Sequence, residues 1–152
     1  MTDLTFEGGN NPGGNCVLRF APVAGIASIA SPLTQPVFRT GYRWFDAYGS
    51  EGTKEVDETQ DETDNGPTWN VKISLFLPGD SVQRRGALAE LVRHRFILEV
   101  QDNAGLYRRI GTLTECLQFS YSFRTGGAMA QRRGAQLTFR GTLSTQPPIR
   151  PA

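Results

Sequence analysis

Reactive chemistry in this 152-residue chain would have to rest on one histidine, two cysteines and a set of carboxylates. His94 lies between Arg93 and Arg95, at the expected end of a helix, where a cationic side chain favours the helix dipole and needs no catalytic role. A zinc centre or a Ser/His/Asp triad would have to be built around it, and neither a zinc-ligand spacing nor GxSxG accompanies it. Cys16 and Cys116 have no CxxC or Cys/His company and read as small buried hydrophobes in strands. "DETDNG" at Asp61 to Gly66 opens like a calcium loop, but its twelfth position, where a bidentate Glu is required, is Lys72. No P-loop or GxGxxG occurs. The chain is therefore expected to be non-enzymatic, with no catalytic residue, cofactor or metal.

Charge is the more informative chemistry. The net value is +1, yet Glu51, Glu55, Asp57, Glu58, Asp61, Glu62 and Asp64 crowd one stretch against Lys54 alone, a local −6. From Ser81 onward eleven arginines face four acids, giving +7. Two oppositely charged regions thus offset each other. Arginines beside strand aromatics could also serve nucleic acid. Against that, the aromatics fall on apolar strand faces and no RNP1-like string is present.

The elements that would position these charges are mostly strands. "TWNVKISLFL" alternates Trp69, Val71, Ile73, Leu75 and Leu77 with Asn70, Lys72 and Ser74, the period of a half-buried strand. "CLQFSYSF" and "AQLTFRGTL" repeat the pattern. In "RFILEVQDNAGLYRRIGTL" two strands flank "DNAG", a tight-turn signal. Further strands are expected at Cys16 to Phe20, Val37 to Tyr48 and Leu4 to Phe6, with "APVAGIASIASPLTQP" an irregular loop. One helix, at about residues 80–93, is expected to start at Asp80 as N-cap with Gln83 completing a capping box, and to dock through Leu88, Leu91 and Val92. This order predicts a single mainly β domain over residues 1–152: an antiparallel β-sandwich or β-barrel with one flanking α-helix. Two long connections remain, an acidic loop at about 49–67 and a basic loop at about 124–134.

The pentapeptide "QRRGA" occurs at 83–87 and 131–135, once in the helix and once closing the basic loop, so it is no duplicated motif. Arg84 and Arg85 in a first helical turn oppose the dipole, and with Arg124, Arg132 and Arg133 they are expected to meet an acidic neighbour. The acidic stretch of another copy is the expected surface, in a head-to-tail contact of the kind that builds rings and tubes.

The run "GPTWNVKISLFLPGD", a helix, "RFILEVQDNAGLYRRIGT", "LQFSYSFRTGG" and "RRGAQLTFRGTLSTQPP" resembles small virion proteins encoded by phages and prophages of Bacteroidetes-type bacteria. It covers roughly Gly66 to Pro148. The strand, helix and strand order is also similar to the tail-tube fold of long-tailed phages. The resemblance implies a virion protein assembled in the host cytoplasm, most simply a tail tube or tail-associated ring subunit; a capsid decoration or head-tail joining role is the alternative. Its partners would be copies of itself and other virion proteins, with DNA passing through without sequence-specific binding. The opening "MTDLTFEGGNNPGG" lacks the basic and apolar stretches of a secretory signal. No run of about 18 apolar residues occurs, so no membrane partner is expected.

Overall fold

Period-two alternation decides which side of each long strand faces inward. The structure, a computed structural model, describes residues 1–4, 17–31, 33–50, 52–102, 105–127 and 133–150. In chain order, β1 (Val17–Pro22) is followed by a 3-10 turn at Val23–Gly25, then β2 (Ile26–Ser28), β3 (Val37–Phe38) and β4 (Phe45–Asp46). The rest comprises β5 (Glu55–Thr63), β6 (Gly66–Pro78), α1 (Val82–Leu91), β7 (Arg95–Gln101), β8 (Tyr107–Ile110), β9 (Leu117–Arg124), β10 (Gly134–Leu143) and β11 (Ile149–Arg150). Among the described residues no helix is long and apolar enough to cross a membrane.

The strands form two antiparallel leaves. One runs β5-β6-β10-β9 and the other β4-β1-β7-β8-β11. They are joined where the start of β7 pairs with β9, Arg95 opposite Gln118 and Phe96 opposite Leu117, before β7 goes on to pair with β8. The sheet does not close, so of the two expected architectures the sandwich-like one is realised. Val71, Ile73, Leu75 and Leu77 of β6 and Leu137 and Phe139 of β10 are all buried, as the alternation requires. Phe139 reaches across the gap to Phe20 of β1 and Phe96 of β7, with ring centroids 6.1 and 5.7 Å apart. Each such ring or leucine, fully buried, contributes about 1.5–3 kcal/mol. Helix α1 adds Leu88 and Leu91 to the same core, whereas Val92 is exposed.

At Gly141 the alternation calls for an apolar side chain that is missing. A Cβ there would stand 2.6 Å from Leu117 Cδ2, so the glycine makes room for β9's leucine.

Several local expectations are corrected. The acidic stretch at 49–67 is no loop: β5 runs through most of it and pairs with β6 from Glu55 opposite Ser74 to Thr63 opposite Gly66. Its acids interleave with Val56, Thr59 and Gln60, so the strand can put Val56 against the core while its other face stays in water. The N-cap is Ser81, not Asp80: Ser81 is extended and its side chain accepts from the Arg84 N–H, while the Asp80 carboxylate is occupied by Arg85. Consequently α1 is shorter than expected at both ends.

Val37 to Tyr48 divides into β3 and β4 around a turn. "APVAGIASIASPLTQP" is not wholly irregular, because β2 within it pairs with β3 as a small separate sheet. Of the strand expected at Leu4 to Phe6, Leu4 bridges to Ala47; Thr5, Phe6 and Cys16 lie outside the described residues, as do Asn103 and Ala104 of the "DNAG" turn.

Candidate functional site

The charged groups are distributed along a spine, β6, whose 13 residues span about 40 Å at ~3.3 Å each. One end carries the β5–β6 hairpin. Asp64 and Asn65 form its turn, and Gly66 at φ 108° supplies a left-handed backbone that only glycine adopts without strain. β10 last pairs with β6 at Leu143 opposite Trp69. The rungs from Asp61 opposite Thr68 to Thr63 opposite Gly66 therefore project beyond the sheet, carrying Asp61, Glu62 and Asp64 exposed. Asp61 is steadied by Asn70, whose Nδ2 donates to its carboxylate at 2.8 Å.

Further along β5, Glu55 and Asp57 lie on the outer face, where Asp57 is opposite Lys72. There an open groove is lined by Asp57, Asn70, Lys72, Gln118, Arg140 and Thr142. Glu58 points the other way. Its side chain is 16% exposed and lies 3.9 Å from Arg108 Nε of β8, on the opposite leaf, while Arg108 also binds Asp102 at 2.6 Å. Glu58 is thus removed from the intermolecular set: it ties the two leaves together. Glu51 is outside the described residues.

The opposite end of β6 is basic. Gly134 pairs with both Pro78 and Arg124, and the Gly79 N–H donates to the Arg133 carbonyl, so the β9–β10 connection, β6 and α1 meet there. Arg124 and Arg133 are exposed and have no ion-pair partner among the described residues; Arg132 lies outside them.

Arg84 and Arg85, expected to contact a neighbour, are used internally. Arg84 is buried, and its guanidinium donates to the Pro78 carbonyl, at the strand end from which the chain turns into α1. Arg85 makes a two-pronged pair with Asp80 at 2.7 and 2.6 Å and lies over the Phe123 ring, 4.3 Å from its centroid. These hydrogen bonds hold the Asp80 carboxyl below the usual range against the opposing effect of burial, and raise the Arg85 guanidinium. Asp80 also offsets the positive charge at the helix start.

Sequence reasoning did not find the buried ion cluster. Glu99 and Arg109, in register on β7 and β8, are each 3% exposed. Arg109 donates to Glu99 through Nη2 at 2.8 Å and to the Thr34 carbonyl at 3.1 Å. Arg150 of β11 approaches the other carboxylate oxygen at 3.7 Å. The only signal was a polar residue at an outward-facing strand position, which ordinarily faces water. Among the described residues no group of three or more His, Cys, Asp or Glu is arranged to hold a metal.

What the arrangement can do is hold opposite charges at two ends of one leaf, acid-tipped at the projecting hairpin and basic beside the Pro78 end of β6. No family model matches this sequence, and no curated protein and no solved structure matches it either.

Proposed function

We propose that the chain is a non-enzymatic bacteriophage virion structural protein, a tail tube or tail-associated ring subunit that self-assembles. The observation that carries this reading is the separation of charge along β6: acids project at the Gly66 end, and Arg124 and Arg133, exposed and without an ion-pair partner among the described residues, lie at the Pro78 end. Among the described residues the two poles do not form ion pairs with each other, whereas copies stacked head to tail would bring them together, and such contacts generate rings and filaments. The resemblance of its strand and turn motifs to phage virion proteins supports the virion setting.

Sheet edges support the same reading. Among the described residues β5 has a strand on one side only, and β9 beyond Gln118 is paired only with β10. Because every pairing from β5 to β9 is antiparallel, the two outer strands run in opposite senses. A neighbour's β5 laid beside β9 would continue the alternation without a break, and an edge that endangers a monomer becomes a seam.

The test is purification followed by light scattering and negative-stain microscopy. Rings or tubes are expected, and Arg124→Glu with Arg133→Glu is expected to shorten or abolish them; adding Asp61→Arg with Glu62→Arg is expected to restore them. A stable monomer at high concentration would reject self-assembly in favour of a decoration or joining role. Steep salt-dependent binding to DNA would favour a nucleic-acid-binding domain instead.

A further inference from the structure

Across the outer face of the β5-β6-β10-β9 leaf, one rung sets two bases side by side. Asp57 of β5 is in register with Lys72 of β6, Lys72 with Arg140 of β10, and Arg140 with Gln118 of β9. Like charges directly opposite each other on adjacent strands repel unless something negative lies between them. Lys72 and Arg140 are both exposed, and among the described residues neither has an ion-pair partner. Asp57 forms no pair with Lys72 and stands on its far side from Arg140.

These residues line the open groove, about 730 Å³ in volume, together with Asn70 and Thr142 of the next rung. That volume falls in the range of small-molecule sites and exceeds what a bare oxyanion fills. Its exposed lining is amide, hydroxyl and charge, which suits a ligand rich in hydroxyls. The Thr142 hydroxyl donates to Asn70 Oδ1 at 2.9 Å and Asn70 Nδ2 donates to Asp61 at 2.8 Å, so that amide is held in place. The Gln118 amide and the Asp57 carboxylate have no partner among the described residues and can meet hydroxyl groups. No aromatic ring lines the groove; Phe119 and Phe139, next to Gln118 and Arg140 in sequence, are buried on the inward face. A nucleobase would therefore find no stacking platform.

We infer that the groove binds an anionic saccharide, a sugar unit whose phosphate or carboxylate lies between Lys72 and Arg140 and whose hydroxyls reach Asn70, Gln118 and Asp57. The order of charges along the rung sets the orientation. The anion is drawn toward Arg140, away from Asp57, and Asp57 accepts from hydroxyls at the other end. The site belongs to one protomer and holds whether or not the protein self-assembles.

Saturation-transfer NMR at millimolar ligand tests this, because the signal is read on the sugar's own protons in monomer and assembly alike. Glucose phosphate and glucuronate carry the two kinds of anion, and glucose is the neutral reference. A charged sugar is expected to bind about tenfold more tightly than glucose, the worth of one charge-assisted hydrogen bond. Which of the two does so identifies the phosphate or the carboxylate as the group recognised. Lys72→Gln and Arg140→Gln are each expected to weaken that sugar about tenfold. Their melting temperatures should hold or rise, since each substitution relieves a like-charge pair. Absence of binding, or charged sugars bound no better than glucose, overturns the inference. So does an affinity that neither substitution changes, which places the ligand elsewhere. Inorganic phosphate that competes as well as glucose phosphate reduces the site to an ion contact and overturns the saccharide. A short single-stranded oligonucleotide that binds more tightly than either sugar, and loses that binding in the same variants, assigns the groove to nucleic acid and overturns it too.

Discussion

The pairing of Glu99 with Arg109 sets the strongest single-residue expectation. Both side chains are almost wholly out of water, so removing Glu99 strands the Arg109 charge, and removing Arg109 leaves Glu99 only the looser approach of Arg150 at 3.7 Å. Arg109→Ala is expected to destabilise by about 3–5 kcal/mol, whereas replacing the pair by Met and Leu together costs less than either single change. Urea unfolding of the three variants measures this; an Arg109→Ala protein as stable as the parent would overturn the assignment. Asp3 adds a pH term. Burial pushes its carboxyl upward, but hydrogen bonds from Arg43 and the Asp46 N–H, with the Arg43 charge, prevail and leave it below the ordinary 3.8. A carboxyl depressed in the folded state contributes stability that is present above its unfolded value and lost as pH falls through the folded one. The contact of residues 3–4 with β4 is therefore expected to loosen below about pH 4, read as a fall in the melting temperature that Asp3→Asn reduces. Neither partnership was legible in the sequence. In "RFILEVQ" Glu99 alternates with core residues as any solvent-facing group does, and it is the cover from distant segments, with the Thr34 carbonyl and the Trp44 ring on Arg109 and Arg150 beside Glu99, that turns that position into an interior one.

Elements were legible where burial dictates the pattern and illegible where solvent does. The long strands β6, β9 and β10 follow from their apolar alternation, since one face of each must enter the core. β5 offers little such signal: of its nine residues only Val56 packs against the core, so the acids dominate its composition and suggest a loop. Its strand conformation comes from the partner, β6, which supplies the hydrogen bonds and a two-residue turn ending at Gly66. Gly66→Val is accordingly expected to cost about 1 kcal/mol or more through the unfavourable φ, and to loosen the hairpin before the core. Hydrogen exchange is the measure: amides of β5 in the variant should exchange faster, with those of β10 unchanged. A uniform change across both strands would mean that the hairpin does not open separately. Helix α1 shows the same division, its docking face read from Leu88 and Leu91 but its start misplaced by one residue because Ser81 and Asp80 could each serve as cap.

At the scale of the whole molecule, two kinds of surface answer differently to salt. The poles of β6 carry exposed charge, and raising NaCl from about 50 mM to about 500 mM shortens the Debye length from roughly 14 to 4 Å. Attraction between Asp61, Glu62 and Asp64 of one copy and Arg124 and Arg133 of the next should fade over that range. In the proposed assembly, edge-to-edge pairing of β5 with a neighbour's β9 would rest on backbone hydrogen bonds, which salt scarcely weakens. If the poles set stacking and the edges set the ring, salt dissolves tubes into rings while rings persist, and the order appears directly in sedimentation velocity profiles. Simultaneous loss of tubes and rings to monomers at the lowest effective salt would place both contacts on charge and remove the edge strands from the assembly.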